Sequence, residues 1–261
     1  MGKKQPLSAE QRQSEIRTLL QVGRELSISE LALRFGASEM TIRRDLSKLQ
    51  QRGQVLRTHG GVVPADRMMF EFDFAARQRE NLAAKRAIAR EALKLINPPC
   101  RIILDTGTTA LPLAYELQSF NDISVITPSL AVASALQFAE GVQTVLLGGI
   151  IRKGSPDLTG ALTESMLEMF AADIAFQGAD GIDTDGFCYN RDLRIAKVDQ
   201  KIRQRAQHVY VLADSSKLNR TALVRHGSIQ QVDGLITDNK ADMDFITQLK
   251  TIGTSVIIAE L

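Results

Sequence analysis

From residue 101 onward, short apolar runs near 102–105, 123–127, 144–147, 173–178, 208–213, 233–237 and 255–259 alternate with stretches of helical period. Such alternation predicts an α/β domain: a mainly parallel sheet covered on both faces, with ligands bound on loops beyond the carboxyl ends of its strands. The chain is 44% hydrophobic but only 5% aromatic and has no Trp, so the core must come from Ala, Val, Ile and Leu. No apolar run approaches the ~20 residues of a membrane span, and Met1–Arg12 is polar, so a cytoplasmic protein without membrane contact is expected. Cys100 and Cys188 stand far apart, without metal or redox spacing, and no cofactor is expected.

The first 100 residues carry a different pattern. Residues 1 to 65 hold 11 Lys and Arg against 6 Asp and Glu, a net +5, in a chain whose total is +2, leaving −3 for the remainder. Ile16, Leu19, Leu20 and Val22 are spaced for one helix, ended by Gly23. Ser27 and Glu30 have capping-box spacing ahead of Leu31, Ala32 and Phe35. Gly36 and Ala37 then turn the chain, Ser38 caps a third helix with Ile42, Leu46 and Leu49 as its apolar stripe, and Gly53 ends it.

The other face of that third helix offers Glu39, Thr41, Arg43, Arg44, Ser47 and Lys48. Side chains at the start of such a helix can meet base edges in the major groove, while Lys48 and Arg52 suit phosphates. Val55 to His59 followed by Gly60 and Gly61 reads as a small hairpin, a wing carrying Arg57 and His59. A single Arg here is as easily a solvated surface residue as a DNA contact. The capped helix pair, the adjacent arginines and the basic balance together favour DNA.

The run Ser38-Glu39-Met40-Thr41-Ile42-Arg43-Arg44-Asp45-Leu46, with Leu49, Gly53 and the wing Arg57-Thr58-His59-Gly60-Gly61, resembles the DeoR family of bacterial repressors. The resemblance implies that Ser38, Glu39, Thr41, Arg43 and Arg44 face operator DNA and that Lys48, Arg57 and His59 position its backbone. A winged helix-turn-helix at 1–62 is expected, then a linker at 63–80, without sustained helical period, and a sensor domain at 81–261. Arg77 and Lys85 also suit the family's linker pattern.

Within the larger domain, Asp105-Thr106-Gly107-Thr108-Thr109 follows Ile102-Ile103-Leu104 and precedes a helix running to about Leu117. Gly107 lets backbone approach closely, and the helix start and the Thr hydroxyls can hold an anion; a plain turn and cap is the alternative. Thr127-Pro128-Ser129, Gly148-Gly149 with Arg152 and Lys153, Gly178 to Gly181 and Ala213 to Lys217 belong to the same rim. Arg152 or Lys217 could meet a phosphate and Asp180 a sugar hydroxyl; capping, turn and solvated-loop roles weigh about equally. Leu104 to Thr109, Leu147-Gly148-Gly149, Asp173 to Asp180 and Ala213 to Lys217 resemble the family's effector domain. That resemblance implies a ribose-5-phosphate-isomerase-like fold and a phosphorylated sugar as effector; a symmetric operator would require a homo-oligomer, a dimer or tetramer.

The chain departs from the family pattern at Pro128, at Ile195 and Asp199, where Glu and Lys are common, and at Gln177, where the isomerase has an acidic residue. Loss of that proton-transfer group argues against catalysis. His59, His208 and His226, the last in a polar loop, lack metal spacing. Gly149 to Ser155 imitates P-loop glycine spacing without its Lys, and Cys188 reads as a buried thiol. A sugar-phosphate isomerase with a fused basic module, and a DNA-bound protein without ligand, remain the alternatives.

Overall fold

The computed structural model describes residues 7–21, 26–51, 55–57, 61–64, 74, 76–152 and 154–261. Contacts divide the chain into two units, Met1–Asp73 and Phe74–Leu261. The expectations at Val22, Gly23, Arg52, Gly53, Thr58, His59, Gly60 and Lys153 lie outside the described residues, as does the side chain of Arg57.

In the first unit, α1 (Ala9–Gln21), α2 (Ile28–Phe35) and α3 (Glu39–Gln51) are followed by β1 (Val55–Arg57) and β2 (Val62–Pro64). Ser8 and Gln11 form a capping box at the start of α1 that the sequence reading passed over: the Gln11 N–H donates to Ser8 Oγ, and the Ser8 N–H to Gln11 Oε1. The box at Ser27 and Glu30 forms as spaced, and Gly36 closes α2 in the left-handed region at φ 58°. Ser38 Oγ accepts the Thr41 N–H at 3.2 Å, capping α3. Ile16, Leu20, Leu31, Ile42, Leu46, Leu49, Val55 and Val62 close the core. Each fully buried Leu or Ile contributes about 1.5–3 kcal/mol.

β1 and β2 pair antiparallel with Arg57 opposite Val62, and Leu26 pairs with Val62 from the other side. Gly61 is required there for a reason other than turning: a Cβ on it would lie 2.2 Å from the Leu26 carbonyl oxygen.

The second unit is built on seven parallel strands in the order β14-β13-β11-β8-β3-β4-β5. They are β3 (Cys100–Leu104), β4 (Ile123–Thr127), β5 (Val142–Leu146), β8 (Ala172–Gly178), β11 (Ala206–Leu212), β13 (Gly234–Asp238) and β14 (Val256–Ala259), the seven apolar runs of the sequence. On one face α4 (Leu82–Leu93), α5 (Leu111–Leu117) and α6 (Leu130–Leu136) bury Ile88, Leu113 and Val132 against Ile102, Leu104 and Phe176. On the other, α7 (Ala161–Leu167) and α8 (Leu193–Arg203) cover Ile103 and Ala175, while α9 (Met243–Thr251) covers Val211 and Leu235. The alternation of Ile102, Ile103 and Leu104 between the two layers is the two-residue period of a strand.

Three features depart from expectation. Residues 76–79 are helical, and Phe74 packs on the core. A small antiparallel sheet of β9 (Gly181–Ile182), β10 (Phe187–Asn190) and β12 (Val224–Ser228), and a hairpin of β6 (Ile150–Ile151) and β7 (Leu158–Thr159), occupy stretches read as loops. His226 is therefore not in a polar loop but on β12, 3% exposed. Cys188 is a fully buried thiol on β10, pushed up by desolvation.

Candidate functional site

α3 presents two opposite faces. Ile42, Leu46 and Leu49 are buried, and Glu39, Arg43, Arg44 and Lys48 are exposed, with Thr41 and Ser47 half-buried. Arg43 lies 3.6 Å from Glu39 one turn back, an exposed pair that holds its guanidinium loosely, and Ser47 Oγ donates to the Arg43 carbonyl. Ser38 Oγ is shared between the Thr41 N–H and hydroxyl, so Ser38 orients Thr41 as well as capping the helix. Met40, at the start of the helix, is 61% exposed; it was not singled out from the sequence, although a large apolar side chain at the tip of a basic helix is a signal. What anchors α3 is Asp45, 3% exposed, which accepts from Arg12 Nε at 2.5 Å and from Gln13 Nε2 at 2.9 Å.

In the larger unit the strand order places the carboxyl ends of β3, β8 and β11 side by side, and with them Asp105–Thr109, Gly178–Asp180 and Asp214–Lys217. Asp105 is 2% exposed; its Oδ2 accepts the Gly178 N–H at 3.0 Å, and desolvation lifts it to about 6. Thr106 and Thr108 are buried, Gly107 and Thr109 half-buried, and Gly107 has φ 99° with open space beside it. α5 starts only at Leu111, past the threonines, so the loop and not a first helical turn lines this place.

The hairpin from Gly149 to Thr159 folds back toward β4, where the Leu158 N–H donates to the Pro128 carbonyl and Ser129 bridges Asp157. Gly149 is used for packing: a Cβ there would meet Thr163 Oγ1 at 2.1 Å. Arg152 Nη2 donates to the buried Asp157 at 2.7 Å, which also accepts from Ser155 Oγ. Asp180 accepts the Arg191 N–H at 3.1 Å and ties the loop ahead of α8. Asp214 accepts from Asn81 Nδ2 and from Ser216. Lys217 has no carboxylate within ion-pair distance among the described residues. Close by, Lys85 donates to the Arg77 carbonyl, and burial lowers it to about 8, opposed by Asp214 and assisted by Lys217.

Gln177, fully buried, donates to the Asp199 carbonyl at 2.9 Å and accepts from Arg203 Nε at 2.7 Å, an amide locked between β8 and α8. Among the described residues, no group of three or more His, Cys, Asp or Glu side chains is disposed to hold a metal, and no helix is long and apolar enough to cross a membrane. Two grooves of about 700 and 620 Å³ share Gln78 and Tyr115 and lie along α4, α5 and α6, including the residues that follow α6.

Residues 12–67 match the DeoR-like helix-turn-helix domain and residues 80–239 the DeoR C terminal sensor domain. The chain is 31% identical to a putative aga operon transcriptional repressor of Escherichia coli O157:H7, over 96% of this chain and 94% of that one. It is 32% identical to the glycerol-3-phosphate regulon repressor of Escherichia coli K12, over 87% and 90%. Among solved structures, the chain is similar to ribose 5-phosphate isomerase A from Methanocaldococcus jannaschii, at 25% identity and a TM-score of 0.41 over 53% of this chain and 55% of that one. The chain belongs to the DeoR family and is a DNA-binding transcriptional regulator.

Proposed function

We propose that this regulator represses a carbohydrate-utilisation operon in the cytoplasm and that a phosphorylated sugar sets its affinity for the operator. The assignment divides the chain into a DNA-binding unit at 1–62, a linker at 63–80 and a sensor unit at 81–261. Thr41, Arg43, Arg44 and the exposed Met40 meet base edges, Met40 suiting a thymine methyl. Ser38 and Glu39 set the start of the helix, and Lys48, Arg57 and His59 hold phosphates. The observation that carries this reading is one helix with a fully buried apolar face and an exposed face of Arg43, Arg44 and Lys48.

For the sensor, Asp105, Thr106, Gly107, Thr108 and Thr109 cradle the sugar phosphate. Lys217 supplies the phosphate's cation, because Arg152 is engaged by Asp157. Gly149 and Asp180 shape the rim rather than touch the ligand. A relative named for a glycerol-3-phosphate regulon supports a phosphorylated metabolite. The protein is not an enzyme in this reading: the Gln177 amide has no proton to exchange near neutral pH and is committed at both ends. A two-fold operator calls for at least a dimer.

Ligand releases DNA only if it binds the free arrangement more tightly than the bound one. Fluorescence anisotropy of the full chain on the DNA upstream of its own gene, titrated with sugar phosphates, tests the reading. Loss of anisotropy with one phosphorylated sugar and not with its unphosphorylated form is expected. Indifference to every sugar phosphate would remove the sensor assignment, and turnover of a pentose phosphate would restore the enzyme.

A further inference from the structure

The layer of α4, α5 and α6 turns an outer face to solvent. α5 is the middle helix, packing on α4 to one side and on α6 to the other. Gln118, just after α5, donates from Nε2 to the Ala135 carbonyl of α6 at 2.7 Å, which holds that pair of helices in register. Tyr115, 51% exposed on α5, stands between two grooves: one of about 620 Å³ along α4 and one of about 700 Å³ along α6.

The two sides of this face differ in charge. From Ser129 to Ala139 no residue is charged, although Ser134 and Gln137 are exposed and Phe138 is 87% exposed. A helix open to water ordinarily carries charge on its outer side, whereas absence of charge beside an exposed aromatic ring is the composition of a protein interface core. Across α5, the exposed Arg79, Arg86 and Arg90 line the other groove, with Glu116 the one carboxylate among its lining residues. Neither Arg86 nor Arg90 has a carboxylate within ion-pair distance among the described residues, and the neighbouring Glu91 is taken by Lys94. Glu140, exposed two residues after Phe138, has no cation within that distance among the described residues.

We propose that this face pairs with the same face of a second copy of the chain, about a two-fold axis that lies in the interface and runs along α5. The inference rests on the reading of the protein as an oligomer on a two-fold operator. Because α4, α5 and α6 directly precede the parallel strands β3, β4 and β5, all three run toward the amino ends of those strands. Arg90, Tyr115 and Phe138 each lie in or just past the last turn of their helix, and so near that same end. An axis along α5 therefore sets α6 of one copy over α4 of the other at matching height. Phe138 of one copy enters the α4 groove of the other beside Arg90, Glu140 meets the guanidinium groups of Arg86 and Arg90, and Tyr115 meets its own counterpart. Each contact is made twice, as an isologous interface requires. An axis across the helices would instead lay α4 on α4 and set Arg79, Arg86 and Arg90 against themselves, which like charge opposes. A partner of another sequence would have to present an aromatic knob with an acidic group beside it; this chain presents both.

Fluorescence-detected sedimentation of the full chain, from nanomolar to micromolar concentration, tests this. Phe138→Ala should weaken self-association at least about tenfold with helix content unchanged. A chain carrying both Arg86→Glu and Arg90→Glu, and another carrying Glu140→Lys, should each self-associate at least about tenfold more weakly, because like charges then meet across the axis. An equimolar mixture of those two chains should recover the association of the parent, since opposite charges again meet at both contacts. Self-association that Phe138→Ala leaves unchanged, or a mixture that fails to recover, overturns the inference while leaving the oligomer reading standing. A parent that stays monomeric at every concentration overturns both. Should a charge variant not fold, Tyr115→Cys decides: with Cys100 and Cys188 buried, a short bismaleimide should join two copies at position 115, and labelling there without joining overturns the inference.

Discussion

Arg12 on α1 and Asp45 on α3 form an ion pair whose Nε–Oδ2 distance is 2.5 Å, with the Asp45 side chain 4% exposed. Asp45 also accepts from Gln13, so one carboxylate on α3 is held by two residues of the first helix. Removing one partner of a buried ion pair leaves the other charge stranded, at a cost of about 3–5 kcal/mol. Asp45→Ala should therefore cut hydrogen-exchange protection of α1 and α3 by at least about a hundredfold, equivalent to ~3 kcal/mol. It should also weaken operator binding without touching a base. Unchanged protection would mean that the apolar core of this unit holds α3 alone.

Arg44 and Lys48 share the exposed face of α3 but should fail differently. Arg44→Ala is expected to cost roughly 1–3 kcal/mol on operator and much less on scrambled duplex, the mark of base reading. Lys48→Ala should weaken both duplexes alike and reduce the salt slope by about one. Anisotropy at several salt concentrations separates them. Equal losses on the two duplexes for Arg44→Ala would move that residue to the phosphates.

Gly61 is fixed by its neighbour. The Leu26 carbonyl oxygen would lie 2.2 Å from an added Cβ, and that same carbonyl accepts the Val62 N–H at 2.9 Å. Gly61→Ala must part the two segments or distort the wing, costing about 1–3 kcal/mol as overpacking does. A drop in the urea midpoint of the first unit, followed by exchange of the Val62 amide, checks it. A midpoint unchanged within error would show that the wing can slide.

The pattern of legibility follows the range of the interactions. Seven strands could be placed because each is a short run of Ile, Val or Leu between helical periods, and Ser27 with Glu30 could be placed because a capping box is local. β12 was missed because Val224-Arg225-His226-Gly227-Ser228 has no clear two-residue period, and its burial comes from the strand and helix packed on it. The helix behind the Asp105–Thr109 loop, like that capping box, was legible for a local reason, and it runs from Leu111 to Leu117 as α5. The partners of Arg152 and Asp180, Asp157 and the Arg191 amide, were not legible because they are brought near only when the hairpin folds back and β10 is laid down. Asp199 was noted as a departure from a family pattern, but only the fold sets it 3.8 Å from His226 on β12.

His226 gives the protein a pH response of known sign. Its folded value of about 3 lies below the unfolded value near 6.5, so the unfolded chain binds the extra proton between those limits. The stability this imidazole permits is present above pH 6.5 and is lost as pH falls toward 3. Asp105, raised to about 6, acts oppositely: its burial costs stability above the ordinary carboxylate range, and acid relieves that cost as pH falls through 6. Comparing the protein with His226→Gln isolates the first effect. From pH 7 to pH 5 the stability of the parent should fall relative to the variant by about 2 kcal/mol, read from urea midpoints. A constant difference would mean that His226 gains a partner on protonation.

Gly107 tests the sensor loop without disturbing the DNA-binding unit. At φ 99° it sits where L side chains rarely lie, yet no atom is within 4 Å of where a Cβ would be. A substitution is therefore opposed by backbone strain of about 1–3 kcal/mol and not by a clash. Gly107→Val should reshape Thr106 to Thr109, abolish the response to sugar phosphate and leave operator affinity within about twofold, since that reshaping is confined to the larger unit. Anisotropy with and without ligand measures both quantities on one sample. A response that persists at full size would place the ligand away from this loop, and a collapse of operator affinity would make the loop part of the DNA-bound arrangement itself.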